Sequence, residues 1–250
     1  MLTLFKIMKH QGRQYIPDVT TITLPPQHIG KPNIESKACL ENCASCKEIC
    51  PVNAITISPV TLDLGKCVFC KECEMMCPSN KITFTSDYKI ASNYSNGLVI
   101  NEGVNGEIKF DADKIRKEIK QCFGRSLKLR LVSAGSCNGC ELELNAAGNV
   151  NFDMGRYGIE FLASPRHCDG VVVTGPIVEN SVEALRITFE AIPQPKLLIL
   201  AGACAVGGGI FSESKAVNRK LLDMYKPDLF VPGCPPHPLS FINGILKLIR

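Results

Sequence analysis

A doubled cysteine run in the first third of this chain constrains its fold more than any other feature. The run consists of two segments, Cys39-x3-Cys43-x2-Cys46-x3-Cys50-Pro51 and Cys67-x2-Cys70-x2-Cys73-x3-Cys77-Pro78. Three cysteines at such spacing can reach three corners of one iron–sulfur cubane from a tight loop, and the fourth, before a proline, ligates the other cluster. The pattern therefore predicts two [4Fe–4S] clusters whose fourth ligands are exchanged.

The exchange divides these cysteines into two ligand sets. We assign Cys39, Cys43, Cys46 and Cys77 to a first cluster, and Cys67, Cys70, Cys73 and Cys50 to a second. The first run has one residue more than the usual spacing between Cys39 and Cys43. Structural zinc and disulfides are the alternatives, but zinc favours separated pairs of cysteines and disulfides need an oxidising compartment. A near-repeat, C-P-V-N-A-I-T-I against C-P-S-N-K-I-T-F, predicts two halves related by a pseudo-twofold axis.

The chain after residue 125 alternates apolar strands with helices. Strands are predicted over 127–133, 171–175, 197–202 and 229–233, and helices over 181–191, 214–224 and the last residues. Apolar strands separated by helices are typical of a parallel sheet with both faces covered. The predicted fold class is α/β, with an N-terminal two-[4Fe–4S] ferredoxin-like domain followed by a flavodoxin-like parallel-sheet domain.

A sparse set of cysteines follows three of these strands: Cys137, Cys140, Cys204 and Cys234. Sites in open parallel sheets form outside the carboxyl ends of the strands, so these thiols should meet at one edge. Glycines beside them would let the backbone approach inorganic sulfide. We therefore predict a third [4Fe–4S] cluster, the alternative being buried structural thiols. Cys122 and Cys168 fall outside all three sets, and we interpret them as structural thiols, Cys122 as a buried one.

We divide the chain into four parts. Residues 1–33 form an amphipathic and extended lead-in, 34–90 the two-cluster unit, 91–125 a connector with a helix over 111–123, and 126–250 the parallel-sheet domain. In the lead-in, one helical face carries Met1, Leu4, Phe5 and Met8, and the opposite face carries Lys6, Lys9, His10 and Arg13. Such a helix either docks onto an anionic membrane surface or a membrane component, or packs against the chain's own domains.

Composition argues against several classes of function. A net charge of only +4, 6% aromatic residues and no tryptophan argue against a nucleic-acid partner. No stretch reaches the ~20 apolar residues of a membrane span, and the N-terminus lacks the pattern of a signal peptide. The Gly-rich segment 202–211 lacks a dinucleotide fingerprint, and no second pair of CxxC motifs offers nickel ligands. We expect a cytoplasmic protein that conducts electrons and is not catalytic alone.

Four segments in the second half carry a specific resemblance: "SAGSCNGCELE" (133–143), "SPRHCDGVVVTGP" (164–176), "GACAVGGGIF" (202–211) and "VPGCPPHP" (231–238). This half resembles the small, electron-transferring subunit of group 4 membrane-associated [NiFe] hydrogenases, including formate hydrogenlyase, and is similar to the B-type subunit of respiratory complex I. The first half resembles the two-cluster ferredoxin subunit of the same assemblies. The chain therefore looks like a fusion of two subunits.

The resemblance implies a proximal [4Fe–4S] cluster, held by Cys137, Cys140, Cys204 and Cys234, that faces a Ni–Fe large subunit. It also implies membrane subunits of an energy-converting complex, an electron donor or acceptor protein such as a ferredoxin or a dehydrogenase, and peripheral association with the inner face of the cell membrane. Glu141 lies where the family carries an acidic residue. We interpret it either as a possible catalytic proton relay or as a charge that favours a helix N-terminus.

Two alternatives to the hydrogenase function remain open from the sequence. One is a quinone-linked complex I-like subunit, but the B-type subunit of complex I has adjacent cysteines where Asn138 and Gly139 here separate Cys137 from Cys140. The other is an electron carrier in a hydrogenase-like complex that lacks Ni–Fe. The sequence leaves open the electron donor, the physiological direction and any ion pumping, because ligand spacing does not fix cluster potentials.

Overall fold

The computed structural model describes residues 2–12, 14–108 and 110–250. Met1 and Arg13, which the sequence assigns to the amphipathic lead-in, lie outside the described residues. The strands are β1 (Pro32–Ile34), β2 (Ile55–Thr56), β3 (Thr61–Asp63), β4 (Ile82–Phe84), β5 (Val99–Asn101), β6 (Leu127–Ser133), β7 (Ile159–Phe161), β8 (Gly170–Thr174), β9 (Leu197–Ala201) and β10 (Leu229–Val231). The helices are α1 (Leu2–Gln11), α2 (Ser45–Glu48), α3 (Glu72–Met75), α4 (Lys117–Phe123), α5 (Gly139–Ala146), α6 (Glu179–Glu190), α7 (Ala203–Gly207), α8 (Leu221–Met224) and α9 (Pro238–Ile249).

The second half contains a parallel sheet of five strands in the order β7-β6-β8-β9-β10. Numbered along the chain this is the order 2-1-3-4-5, which is that of flavodoxin-like sheets. The flavodoxin-like prediction is therefore confirmed. The edge strand β7 was not predicted, because three residues with one exposed side chain give too short a pattern to separate from a loop.

Both faces of this sheet are buried, as the apolar runs predict. Successive side chains of a strand point to opposite faces, and β8 divides accordingly. Val172 joins the core beneath α4, α5 and α9, whereas Val171 and Val173 join the core beneath α6 and α8. Helix α9 is buried along nearly its whole length, which explains why its residues are apolar on every side.

Two helices are shorter than the sequence predicts. The predicted helix over 111–123 is interrupted, because Ile115 and Arg116 are extended between a short 3₁₀ turn and α4. The extended backbone lets Arg116 reach Asp228, with Nε to Oδ1 at 3.2 Å. The predicted helix over 214–224 is reduced to α8, because the preceding backbone bonds to the segment after β8: Asn218 N–H donates to the Ile177 carbonyl at 2.8 Å.

The first half contains two small antiparallel sheets, β1-β4 and β2-β3-β5. Strand β5 belongs to the segment 91–125 but pairs with β3, so part of this segment packs with the first half. Val206 and Phe230 of the second half pack against the apolar core of the first. Ser92 and Phe230 also form an isolated antiparallel bridge. These contacts join the loops that carry the cysteines of the two halves. The division of the chain into four parts stays a prediction.

Helix α1 packs against no other part of the described chain, since none of its residues is buried. Leu4, Phe5 and Met8 are between 59% and 63% exposed. The alternative that α1 packs against the chain's own domains is therefore wrong. No described helix has the length and apolarity needed to cross a membrane.

Candidate iron–sulfur centres

The first predicted ligand set lines one small cavity. Its wall includes all four cysteines of the set: Cys39, Cys43, Cys46 and Cys77. Cys46 is buried on α2, while Cys39 is exposed. Burial raises the pKa of the Cys46 thiol, and the charges of Cys77, Cys39 and Cys43 raise it further. The fold thus brings Cys77 from the second run to the three cysteines of the first.

The second set lines another small cavity, again with its fourth cysteine taken from the other run. Its wall includes Cys50, Cys67, Cys70 and Cys73. The two sets also share a backbone geometry: the N–H of Ala54 donates to Cys50 Sγ at 3.3 Å, and the N–H of Lys81 donates to Cys77 Sγ at 3.3 Å. Such N–H donors match thiolates, which are acceptors. The predicted pseudo-twofold repeat is visible in these paired hydrogen bonds.

The third set gathers at the carboxyl ends of the parallel strands. Cys137 and Cys140 flank the start of α5 after β6, Cys204 lies on α7 after β9, and Cys234 follows β10. The charges of Cys204, Cys234 and Cys137 all act on Cys140. Since β6 and β8 are neighbours at the point where the strand order reverses, α5 starts in the crevice where such sheets hold ligands.

Glycine is required where the backbone of the third site approaches a thiol. Gly202 has φ +96°, and a Cβ built on it would lie 2.5 Å from Cys140 Sγ. A side chain there would overlap that sulfur, and the backbone conformation itself disfavours L-residues. Gly202 is therefore explained by its close packing against a thiol.

Three thiols of the second and third sets have strongly perturbed acidity. Burial raises the pKa of Cys67 and of Cys73 to about 12, and burial together with Glu141 raises the pKa of Cys140 to about 12. A buried thiolate without a cation is costly. These thiols would be deprotonated only when a metal is bound, and binding of the metal would release the thiol protons. Donor type, number and grouping therefore fit [4Fe–4S] clusters.

Glu141 is the first acidic residue of α5 and turns toward the sheet. Its Oε1 accepts a hydrogen bond of 2.6 Å from Thr174 Oγ1, at the end of β8. Its Oε2 is buried and has no hydrogen-bond partner among the described residues. A helix N-terminus favours a carboxylate, but it does not account for a second oxygen withdrawn from water without a partner.

Two cations beside the thiols, half-buried Arg219 and buried Lys81, were missed by the sequence reasoning. The Arg219 guanidinium donates to the carbonyls of Cys204, Ala205 and Val206 at 3.2, 2.7 and 2.8 Å, and so holds the last turn of α7. Lys81 is only 4% exposed, and its Nζ lies 3.7 Å from Cys39 Sγ. A signal for Lys81 exists in the near-repeat, where the equivalent position is Ala54. Arg219 has no comparable signal in the sequence.

The remaining cysteines take no part in these groups. Cys168 is buried before β8, where its Sγ lies 3.2 Å from the Ser164 carbonyl oxygen. Cys122 is exposed on α4, so the prediction that it is a buried thiol is wrong; Ile119 and Phe123 face the core instead. Among the described residues, no three His, Cys, Asp or Glu side chains converge on a single metal ion. Cubane ligands bind separate irons, so they do not converge in this way.

Comparisons with known proteins find a family and relatives that match part of the chain. Residues 137–248 match the family described as NADH ubiquinone oxidoreductase, 20 Kd subunit. A probable membrane-bound hydrogenase subunit, mbhJ, of Pyrococcus furiosus is 40% identical over 140 residues, which is 55% of this chain and 84% of that protein. An uncharacterised protein of Methanocaldococcus jannaschii is 40% identical over 125 residues, which is 50% of this chain and 83% of that protein.

Relatives from complex I match over a shorter length. The B-type subunit of NADH-quinone oxidoreductase from Geotalea daltonii is 37% identical over 109 residues, 44% of this chain and 64% of that protein. Among solved structures, a chain of the membrane-bound sulfane sulfur reductase, an archaeal respiratory membrane complex, is 28% identical with a TM-score of 0.46, covering 53% of this chain and 73% of that chain.

The family match begins at Cys137 and ends within α9, so it spans the third cysteine set and most of the parallel sheet. Members of this family are subunits of oxidoreductase complexes and bind iron–sulfur clusters. The hydrogenase relative is matched over most of its own length. The chain therefore belongs to the NADH ubiquinone oxidoreductase 20 Kd subunit family, as a small subunit related to those of group 4 hydrogenases and complex I.

Proposed function

We propose that this chain is the electron-transfer subunit of a group 4-type [NiFe] hydrogenase complex, relaying electrons through three [4Fe–4S] clusters to or from a Ni–Fe large subunit. The observation that carries this proposal is the gathering of Cys137, Cys140, Cys204 and Cys234 at the switch point of the sheet. The spaced Cys137 and Cys140 and the 40% identity to a probable membrane-bound hydrogenase subunit favour a hydrogenase-type complex.

The first half supplies the other two ligand sets in this proposal, as a two-cluster ferredoxin-like domain. Cys39, Cys43, Cys46 and Cys77 would hold one cluster, and Cys67, Cys70, Cys73 and Cys50 the other, each set lining its own cavity. Bound clusters would supply one-electron transfer. The residues bury the thiols and donate N–H groups to them.

The second set lies beside the third. The backbone of Gly65, which leads into Cys67, packs against Gly207 so closely that a Cβ on Gly207 would overlap the Gly65 carbonyl. Val206, two residues after Cys204, contacts the core of both halves. Phe69, between Cys67 and Cys70, and Cys234 line a common cavity. These contacts support an order in which the second set is nearer to the third, and the first set, with exposed Cys39, would face the electron donor or acceptor.

The edge that carries the third set is the proposed interface with the large subunit. Cys137 and Cys234 are exposed there. Apolar side chains stand close by in sequence, with Leu142 60% exposed and Ile210 63% exposed. Obligate interfaces of this kind bury roughly 2,000 Å² or more, and such a partner would exclude water from the thiols. Glu141 would lie at this interface as a proton relay.

Helix α1 is the proposed contact with the membrane, which adds to association through membrane subunits. Its apolar side chains are exposed, and Lys6 and Lys9 lie on the opposite face, as in helices that lie in the interface of anionic bilayers. The chain should float with phosphatidylglycerol vesicles, and Lys6→Glu with Lys9→Glu should abolish flotation. Flotation that survives both changes would contradict the contact.

Two other functions are compatible with the family, namely a quinone-linked complex I-like subunit and an electron carrier whose large subunit lacks Ni–Fe. Anaerobically purified chain should contain about twelve irons, because three complete sets of four thiols are present. About eight irons, with no signal from the C-terminal centre, would refute the third site. The large subunit that copurifies should contain nickel and evolve hydrogen. A nickel-free partner would overturn the hydrogenase assignment and leave the alternatives.

A further inference from the structure

The internal repeat relates the two ligand sets of the first half, which differ in the spacing of Cys39 from Cys43 and in one buried side chain. Ala54 and Lys81 occupy the same repeat position, and the N–H of each donates to the cysteine four residues earlier. Their side chains differ completely. The second set has a methyl group at this position, whereas the first set has an ammonium group.

The Lys81 ammonium is buried and held at three points. Nζ donates to the carbonyl of Lys37 at 2.6 Å, to Glu102 Oε1 at 2.6 Å, and lies 3.7 Å from Cys39 Sγ. The side chain of Lys81 is 4% exposed, and that of Glu102 is 22% exposed. Burying an ammonium group is unfavourable unless its partners compensate, so the fold fixes this cation beside the thiols rather than leaving it in water.

A cation fixed beside a ligand sulfur acts on charge at the metal site. Reduction adds one negative charge, and a nearby buried cation that also donates to sulfur stabilises the reduced form. The Glu102 carboxylate opposes this effect, but it is more exposed to water and therefore more strongly screened. Together, Lys81 and Glu102 should therefore act on the first set as a positive charge that is only partly compensated.

We propose that Lys81 raises the midpoint potential of the first N-terminal centre above that of the second, by donating to Cys39 and adding a buried positive charge. This inference rests on the proposed function, since it requires clusters at both sets. Lys81 transfers neither protons nor electrons. It is a tuning residue that acts through Cys39, and its counterpart Ala54 leaves the second centre without the same support.

The test is a redox titration followed by EPR on the anaerobic full chain. The signal of the first centre is assigned as the one lost in Cys43→Ala. In Lys81→Met, the ratio of reduced to oxidised first centre at a fixed ambient potential should fall about tenfold. A change of this size is expected for the loss of a hydrogen bond to a charged group. The second and third centres should titrate as in the wild type.

Lys37→Met is the matched control. Lys37 is 52% exposed and forms a surface ion pair with Glu35 at 2.6 Å, so the same change in charge is screened by water. Glu102→Gln is the second variant, and it should move the first centre to a higher potential. If Lys81→Met does not assemble the first centre, the potential of that centre in Glu102→Gln tests the effect of the buried pair.

The outcomes separate the two proposals. A first centre whose titration is unmoved in both Lys81→Met and Glu102→Gln, or is moved equally by Lys37→Met, overturns the role of Lys81 while three clusters remain. Wild-type protein without N-terminal clusters overturns the proposed function instead. Opposite shifts in the Lys81 and Glu102 variants, confined to the first centre, support the inference.

Discussion

Replacing Gly202 by alanine should destroy the C-terminal centre and leave the rest of the protein intact. A Cβ at this position would lie 2.5 Å from Cys140 Sγ, whereas ordinary contact begins at 3.4 Å, so the sulfur must move by about 0.9 Å. Metal ligands tolerate only about 0.2 Å. The backbone at φ +96° adds strain of about 1–3 kcal/mol. For a chain of this size, that strain lowers the melting temperature by a few degrees without unfolding the protein.

The assay is iron content and EPR of anaerobically purified Gly202→Ala. Iron should fall from about twelve to about eight per chain, with loss confined to the C-terminal signal. Gly155→Ala is the matched control, because a Cβ there would meet only Asp153 Oδ1 at 3.9 Å. Its iron content should be unchanged. A Gly202→Ala protein with full iron and an unaltered third signal would refute the close approach of Gly202 to a ligand sulfur.

Three further changes test other parts of the molecule. Cys50→Ala should remove the centre held by Cys67, Cys70 and Cys73, in spite of its place in the first run; EPR showing loss of the other N-terminal centre alone would disprove the exchange. Glu141→Gln should retain all iron and lower hydrogen turnover of the complex, and unchanged turnover across pH would leave Glu141 as a helix-terminal charge. Burial, assisted by the charge of His28, lowers the pKa of His237 from 6.5 to about 4. Because the unfolded state binds this proton more readily, the stability that neutral His237 contributes should be fully present above pH ~6.5 and be lost as the pH falls toward about 4. Urea titrations of His237→Gln should lack this part of the pH dependence, and an equal pH dependence in the variant and the wild type would contradict it.

The sequence predicted which cysteines of the two runs lie together, because covalent spacing limits which thiols can reach a common point. The exchange of Cys50 and Cys77 between the runs followed from the Cys-Pro ending of each run, and the cavities contain these exchanged sets. The buried strands β8 and β9 followed from their continuous apolar runs, since only a sheet covered on both faces hides every residue of a strand. Because β9 and β10 are parallel, Cys204 and Cys234, which follow them, lie at the same edge of the sheet.

Long-range contacts decided what local pattern could not. The helix predicted over 111–123 is interrupted where Arg116 reaches Asp228, more than a hundred residues away, and no local propensity reports that contact. Cys122 is exposed rather than buried because the face that α4 turns to the core is set by its packing against α9. The positions of the two cations beside the thiols also depend on long-range contacts. Lys81 and Arg219 read as ordinary surface charges in the sequence, because burial and the partners that hold a charge exist only once distant segments have closed around it.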